Sequence, residues 1–172
     1  EGLLPVGISF YTFQTLGYSI DVFRGDREPE RDWVIFALYV SFFPQLVAGP
    51  IERARRLIPQ FHEDRRERVD YDRLVSGFAM ILWGFFMKLV LADNAGLYVY
   101  KIYHPAAYQN YSGGHYLIAM YLFAYQVFCD FAGYSCIAIG TARMMGFDMM
   151  QNFRRPYFAR TFADLWARWH IS

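Results

Sequence analysis

The residues best suited to chemistry lie in the stretch RTFADLWARWHIS, residues 160–172. His170 stands near its end, and an imidazole can accept or donate a proton near neutral pH. Four apolar side chains recur there at i, i+3, i+4 and i+7: Phe162, Leu165, Trp166 and Trp169. This spacing predicts a helix with a largely aromatic face. At about 100° per residue, His170 would project beside Trp166, so we expect a titratable ring packed against indole.

A helix start signal precedes this aromatic face. Thr161 followed three residues later by Asp164 resembles a capping box, in which side-chain oxygens accept hydrogen bonds from free backbone N–H groups. Arg160, Asp164 and Arg168 are spaced by four and predict an ion-paired opposite face. We therefore expect Thr161, Asp164 and Arg168 to position the helix.

Asp130, in the apolar segment FCDFAGYS, is a second candidate functional residue. A carboxylate at the centre of a membrane helix costs about 2.5–3.5 kcal/mol on insertion scales, so we expect it to face other helices, near Tyr134 and Ser135. Two interpretations remain open, a hydrogen-bonded structural anchor and a polar group that lines a substrate cavity. Gly133 and Gly140 most simply allow close helix packing.

Composition indicates a membrane protein. Of the 172 residues, 55% are hydrophobic and 20% aromatic, more than is typical of a soluble domain. The net charge of +1 provides no basic field for nucleic acid. The two cysteines are too few for a disulfide framework or a four-cysteine zinc site, and no metal site is expected. The chain begins at Glu1 without methionine and stops directly after the motif, so we expect an internal fragment of a polytopic membrane protein.

The first half of the chain predicts membrane-embedded elements and a polar loop. Residues 3–23 are long enough to cross a bilayer, whereas the run 33–49 is short and broken by proline and glycine. For 33–50 a full crossing and a re-entrant or in-plane element remain open, with PQLVAGP inside the bundle. Residues 51–73 carry seven arginines. They predict a cytoplasmic loop by the positive-inside rule, although a plain surface loop is the alternative.

The second half predicts two further crossings. Residues 74–92 are expected to form a spanning helix in which the Lys88 side chain snorkels toward the headgroups. Residues 116–141 are expected to cross the bilayer in the opposite direction. The Tyr-rich segment 93–115 between them predicts an interfacial connection on the non-cytoplasmic side. Gly146 predicts a helix stop, and Pro156 prevents a helix through QNFRRP. Three more histidines are expected to be ordinary surface or interfacial residues: His62, His104 and His115.

Four segments together resemble the membrane-bound O-acyltransferase family, in its bacterial branch of alginate and cell-wall-polymer O-acetylation proteins. They are FYTFQTLGYSIDVFRG (10–25), FFPQLVAGPIERARRLIPQF (42–61), DFAGYSCIAIGTARMMGF (130–147) and NFRRPYFARTFADLWARWHIS (152–172). The WARWH ending is the most specific part. The resemblance covers nearly the whole chain, and residues 1–172 are interpreted as an internal part of one membrane domain of that family, without a separate soluble domain.

The resemblance implies an all-α, polytopic transmembrane helical bundle with short re-entrant or in-plane helices, in a bacterial inner membrane. It implies transfer of an acyl group, expected to be acetyl, from a cytoplasmic thioester donor to hydroxyls of an exported polysaccharide such as alginate. The donor would be acetyl-coenzyme A or an acyl carrier, with no tightly bound cofactor. The implied partners are the lipid bilayer, the polysaccharide and periplasmic or carrier proteins, and nucleic acid is not among them.

The resemblance also assigns site residues. His170 matches the motif histidine, while the family's second essential histidine lies beyond this sequence, so the fragment alone is expected to be inactive. We expect His170 to position or polarise donor or acceptor, with the other histidine as principal base. Six residues are candidates for the substrate channel: Trp166, Trp169, Asp130, Tyr134, Ser135 and Asn152. The two tryptophans would form its dry wall.

Two other functions remain open. Broken helices and Asp130 would also suit a transporter or channel, which predicts an inverted repeat and transport without an acyl donor. A non-catalytic scaffold that docks a periplasmic transferase would keep its binding after His170→Ala, without loss of acetylation.

Overall fold

The computed structural model describes residues 8–46, 49–63, 70–104 and 111–172, in which all regular structure is helical. The α-helices are α1 Ile8–Phe23, α2 Trp33–Ser41, α3 Phe43–Leu46, α4 Ala54–His62, α5 Tyr71–Phe85, α6 Asp93–Tyr103, α7 Gly113–Met144 and α8 Phe162–Trp166. A π-helical segment, Phe86–Ala92, joins α5 to α6, and a 3-10 turn, Pro156–Phe158, precedes α8. The predicted all-α class is therefore confirmed for these residues.

Among the residues that the structure describes, two helices are long and apolar enough to cross a bilayer. They are the continuous helix Tyr71–Tyr103, of 33 residues, and α7, of 32 residues. The predicted crossings 74–92 and 116–141 lie inside them, whereas the described part of the predicted crossing 3–23 is the 16-residue α1 and is not among them. The prediction of a connection from Asp93 onward is wrong as far as Tyr103, because the helix continues. Asp93 is tolerated there because its carboxylate accepts a 2.7 Å bond from Lys88. Residues 105–110 of that connection lie outside the described residues.

Glycines set the contact between α5 and α7. A Cβ atom on Gly84 would lie 2.6 Å from the carbonyl oxygen of Gly133, and one on Gly140 would lie 2.6 Å from that of Gly77. Such distances leave no room for a side chain, so the two backbones pack directly against each other. The predicted role of Gly133 and Gly140 in close packing is confirmed.

The run 33–49 is not one spanning helix. Helix α2 has nine residues and ends at Ser41, because the backbone of the next residue, Phe42, is extended. At about 1.5 Å per residue, α2 reaches roughly half of the ~30 Å hydrocarbon core. The structure therefore favours the short element over the full crossing. Pro44, Gln45 and Pro50 are buried, as expected for PQLVAGP, while residues 47 and 48 lie outside the described residues, as do 1–7 of the predicted first crossing.

The prediction that 51–73 is a loop is wrong for residues 71–73, which begin α5, and for residues 54–62. Helix α4 forms there and buries Leu57 and Ile58 completely, at 0% exposure, beside Tyr39 of α2. The reason is an apolar stripe among the arginines: Leu57, Ile58 and Phe61 share one side of the helix, so the charged side chains point away from the core. Residues 64–69 lie outside the described residues.

The connector after α7, residues 147–155, is not helical. Gly146 has a φ of 85°, and two backbone bonds close the helix end, Phe147 N–H to Ala142 C=O at 2.9 Å and Gly146 N–H to Arg143 C=O at 3.0 Å. This is a Schellman motif, and it confirms the predicted stop. The connector is then held to the bundle by Asp148, whose carboxylate accepts from Arg73 of α5 at 2.8 Å.

Candidate functional site

Helix α8 begins as the spacing predicts. The Thr161 hydroxyl accepts a hydrogen bond from the Asp164 N–H at 3.1 Å. The Asp164 carboxylate accepts from the Arg168 guanidinium at 2.6 Å and from the Arg160 backbone N–H at 3.2 Å. Arg168 above all, and then the Arg160 N–H, hold the pKa of the Asp164 carboxyl below its ordinary value. These contacts fix the first turn of α8 and the chain direction behind it.

The helix is shorter than predicted. It ends at Trp166, and a turn follows in which the Trp169 N–H still bonds to the Leu165 carbonyl at 2.9 Å. Beyond that point the backbone pairs with the connector instead: the Arg154 N–H donates to the Arg168 carbonyl at 2.8 Å. This pairing with a segment distant in sequence replaces the helical hydrogen bonds that the periodicity predicts.

His170 consequently leaves the helical path. Its backbone has a φ of 49°, a left-handed conformation that is uncommon for residues other than glycine. Its imidazole packs edge-on against Phe131 of α7, with ring centroids 4.9 Å apart. The expectation that it packs against Trp166 is wrong, because that geometry requires four more helical residues. His170 is otherwise exposed in the described part of the chain.

The two tryptophans have different environments. Trp169 joins an aromatic cluster whose other members are Phe128, Phe153 and Tyr157, with ring centroids 5.9, 5.3 and 5.8 Å from Trp169. Trp166 is 68% exposed and Phe162 is 83% exposed, so the predicted aromatic face is not covered by the described residues. Trp169 is thus packed within the aromatic cluster, whereas Trp166 is largely exposed.

Asn152 bonds both to the residues that follow His170 and to Ser135 of α7. Asn152 is 1% exposed, and its side-chain amide donates to the Ser135 hydroxyl of α7 at 3.2 Å. Its side-chain oxygen accepts from the Ser172 hydroxyl at 3.0 Å and from the Ser172 N–H at 3.4 Å. Both ends of the amide are therefore engaged with protein groups.

Asp130 pairs with a residue that the sequence analysis interpreted differently. Lys88 Nζ lies 2.6 Å from the Asp130 carboxylate and 2.7 Å from that of Asp93. The lysine also stands over the Tyr134 ring, 5.9 Å from its centroid. The predicted snorkelling of Lys88 is wrong because its helix continues to Tyr103, which places Lys88 mid-helix beside two carboxylates. Ser135, expected near Asp130, instead bonds to Asn152.

Two clefts adjoin these residues. One, of about 260 Å³, is mainly apolar and is lined by α5, α7 and the connector, including Met87, Phe128, Ser135 and Asn152. The other, of about 240 Å³, is lined by Ile171, Met150, Glu52 and the arginines Arg53, Arg55 and Arg56. The guanidinium groups favour binding of an anionic group in this cleft. Ile171, which lines the cleft, is the residue next to His170 in the sequence. Burial raises the pKa of the Glu52 carboxyl in the wall of this cleft.

The other histidines have ordinary environments. His62 pairs with Glu30 at 3.1 Å, and His115 bonds to the Ser112 hydroxyl at 2.9 Å. The His104 ring packs against Tyr100 at 5.3 Å between centroids. Within the described ranges, no group of three or more His, Cys, Asp or Glu side chains could hold a metal ion.

The structure brings His170, Trp169, Asn152 and Ser135 together, and it places Asp130 and Tyr134 around Lys88 as a separate cluster. Sequence reasoning missed two contacts, Phe131 under the imidazole and Lys88 between the carboxylates. Phe131 and Ser135 are four residues apart on α7, so they share a face, and that spacing was the available signal. No local pattern showed which segment this face would meet.

The sequence was compared with known proteins. Residues 32–172 match the sequence profile of the family described as "MBOAT, membrane-bound O-acyltransferase family". The "Probable alginate O-acetylase AlgI" of Pseudomonas putida is 39% identical over 170 residues, which are 99% of this chain and 34% of that protein. The "Peptidoglycan O-acetyltransferase" of Helicobacter pylori is 29% identical over 99% of this chain and 36% of its own length. The "Teichoic acid D-alanyltransferase" of Bacillus subtilis is 29% identical over 97% and 42%, respectively.

The chain spans about a third of the length of the alginate O-acetylases it matches. The profile match includes α2 to α8, both helices that could cross a bilayer, and the whole His170 segment. This match extends well beyond the short WARWH motif. The chain belongs to the membrane-bound O-acyltransferase family.

Proposed function

We propose that the complete gene product is a membrane-embedded O-acyltransferase that moves an acetyl group from a thioester donor to hydroxyls of an exported polysaccharide. The observation that carries the proposal is the placement of His170. Its exposed imidazole packs against Phe131 and lies within the segment that matches the family profile.

The relatives support the choice of acyl group and acceptor. Identity is 38–40% to proteins named alginate O-acetylase, and 29–32% to one peptidoglycan O-acetyltransferase and two teichoic acid D-alanyltransferases. We therefore propose acetyl in preference to D-alanyl, and alginate or a similar polymer as acceptor. The proposed location is a bacterial inner membrane crossed several times. The proposed partners are the polymer and a periplasmic or carrier protein.

The transfer needs few parts. The acceptor hydroxyl gives its proton to a base while its oxygen attacks the thioester carbonyl, and the thiolate leaves and takes up a proton. An imidazole can serve such proton transfers. We assign to His170 the polarisation or positioning of donor or acceptor, and to the second histidine implied by the family resemblance the role of principal base. The aromatic cluster around Trp169 would help to exclude water, which would otherwise hydrolyse the thioester.

The arginines at one cleft indicate the membrane face from which the thioester donor would approach. Arg53, Arg55 and Arg56 line the cleft that includes Ile171, and arginine-rich segments that flank membrane helices favour the cytoplasmic face. A thioester donor that approaches from the cytoplasm would meet this surface. Acetyl-coenzyme A and an acyl carrier protein are the two donor classes to be compared.

The test is acyl transfer by the purified complete gene product, with each labelled donor and a panel of polysaccharides. His170→Ala should strongly lower polymer labelling at equal protein abundance and leave only a small residual rate, whereas His115→Ala, a matched exposed histidine, should retain it. Unchanged labelling in the His170 variant would remove His170 from the mechanism, whereas no labelling by the purified wild-type protein with any donor and acceptor would favour a scaffold and reject the proposal. Movement of polymer or ions across the membrane without any acyl donor would favour a transporter.

A further inference from the structure

The backbone around His170 is held by a segment distant in sequence. The Ile171 N–H donates to the Asn152 carbonyl at 3.0 Å, two positions from the bond between Arg154 and Arg168. His170 therefore lies between two residues whose main chains are tied to the connector. Its φ of 49° is a conformation that persists in residues other than glycine only where surrounding contacts support it.

The Asn152 side chain extends this support to α7. It is 1% exposed, and it bonds at one end to Ser172 and at the other to Ser135. A buried amide satisfied on both sides fixes the distance between the elements it joins, because breaking either contact leaves a polar group unpaired. The two residues that follow His170 are thus connected through Asn152 to Ser135 of α7.

The same helix also holds the ring. Phe131 lies one helical turn before Ser135, and its ring packs against the imidazole with 4.9 Å between centroids. Helix α7 therefore supports the His170 ring directly through Phe131 and the His170 backbone indirectly through Ser135 and Asn152. Both contacts are needed to define where the imidazole points.

We infer that Asn152 is a positioning residue for the His170 imidazole and acts through residues 171–172, which it fastens to Ser135. The inference rests on the proposed function, since it concerns a reaction at His170. It differs from direct substrate contact, which the position of Asn152 in the wall of the apolar cleft would otherwise suggest.

A double-mutant cycle in the complete gene product separates these roles. Asn152→Ala should lower kcat by about tenfold or more with little change in KM, because a displacement of about 1 Å can cost 10²-fold. In the His170→Gly background the same change should have no further effect on residual transfer, since the imidazole it positions is gone. An equal loss in both backgrounds would overturn the inference and indicate contact with substrate.

A second measurement does not depend on activity. Diethyl pyrocarbonate modifies exposed imidazoles, and peptide mass spectrometry reports each histidine separately. Asn152→Ala should change the modification rate of His170 severalfold, because the ring is released from Phe131, and leave that of His115 unchanged. An unchanged His170 rate would overturn the inference. If the wild-type protein transfers no acyl group to any acceptor, the proposed function fails while this measurement still reports on positioning.

Discussion

The His170 imidazole and the Phe131 ring meet edge to face, with an interplanar angle of 62° and centroids 4.9 Å apart. This contact joins the family motif to the long helix α7. Apart from it, the ring is exposed within the described structure. The phenyl ring therefore contacts the imidazole while His170 as a whole remains exposed.

Replacing Phe131 should impair transfer more than folding. Aromatic pairs contribute about 0.5–1.5 kcal/mol beyond burial, so we expect Phe131→Leu to lower kcat by roughly three- to tenfold. Transfer by the purified complete gene product, normalised to protein amount, measures this. Phe123→Leu is the control, because Phe123 lies on the same helix and is 53% exposed. Equal losses in the two variants would show that the effect is not specific to the contact with His170.

The cluster of Lys88, Asp93 and Asp130 should be needed for stability. Lys88→Met leaves two carboxylates beside each other without a cation, near the middle of helices that could span the bilayer. We expect a loss of about 1–3 kcal/mol, below the 3–5 kcal/mol of a fully buried pair, because Asp130 is 42% exposed. Thermal unfolding in detergent measures it.

A double variant tests whether charge balance causes the loss of stability expected for Lys88→Met. It combines Lys88→Met with Asp130→Asn, and the second substitution removes one of the two carboxylates. It should recover part of the loss, and Lys101→Met, an exposed lysine in the last turn of α6, should have little effect. If the double variant were less stable than Lys88→Met, charge balance would not be the cause.

The glycine contact between α5 and α7 should tolerate no side chain. Gly84→Ala places a Cβ atom 2.6 Å from the Gly133 carbonyl oxygen and 2.7 Å from Ile137, so the helices must separate. We expect a loss of about 1–3 kcal/mol and lower abundance in the membrane. Gly17→Ala is the control, since a Cβ there meets nothing within 4 Å. Equal melting temperatures for the two variants would mean that this contact adapts easily.

Glu52 should make stability depend on pH. Burial raises the pKa of its carboxyl in the folded state, so the folded protein binds this proton more tightly than the unfolded chain. Its contribution to the free energy of unfolding therefore falls as pH rises from the ordinary carboxyl value through the raised value, and stays low above it. Glu52→Gln removes this penalty and keeps an oxygen for the Met150 N–H, which donates to Glu52 at 2.6 Å.

We expect Glu52→Gln to be more stable than the wild type by about 1 kcal/mol at neutral pH, with the difference vanishing in acid. The weak ion pair with Arg56, at 3.8 Å, offsets little of this gain. Melting temperatures across a pH series measure it, with the exposed Glu28→Gln as control. A Glu52 variant that is less stable than the wild type at neutral pH would show that the ionised carboxylate is required.

Local sequence determined much of this protein. Apolar runs long enough for a bilayer predicted the two long helices, because helix length and hydrophobicity are properties of a segment by itself. Gly146 predicted the end of α7, and Thr161 the start of α8, because the hydrogen bonds that cap a helix come from residues only a few positions away. The motif around His170 likewise identified the family.

Tertiary structure decided what depended on distant segments. Periodicity extended α8 through Trp169, but the backbone there pairs with residues 152–154, and no local pattern contains that competition. The sequence predicted Lys88 near a helix end, whereas in the structure its ammonium group pairs with both Asp93 and Asp130. The direction of the His170 ring depends in the same way on Phe131 and Asn152. Spacing along the chain thus fixed which residues could act, whereas contacts between remote segments fixed where they point.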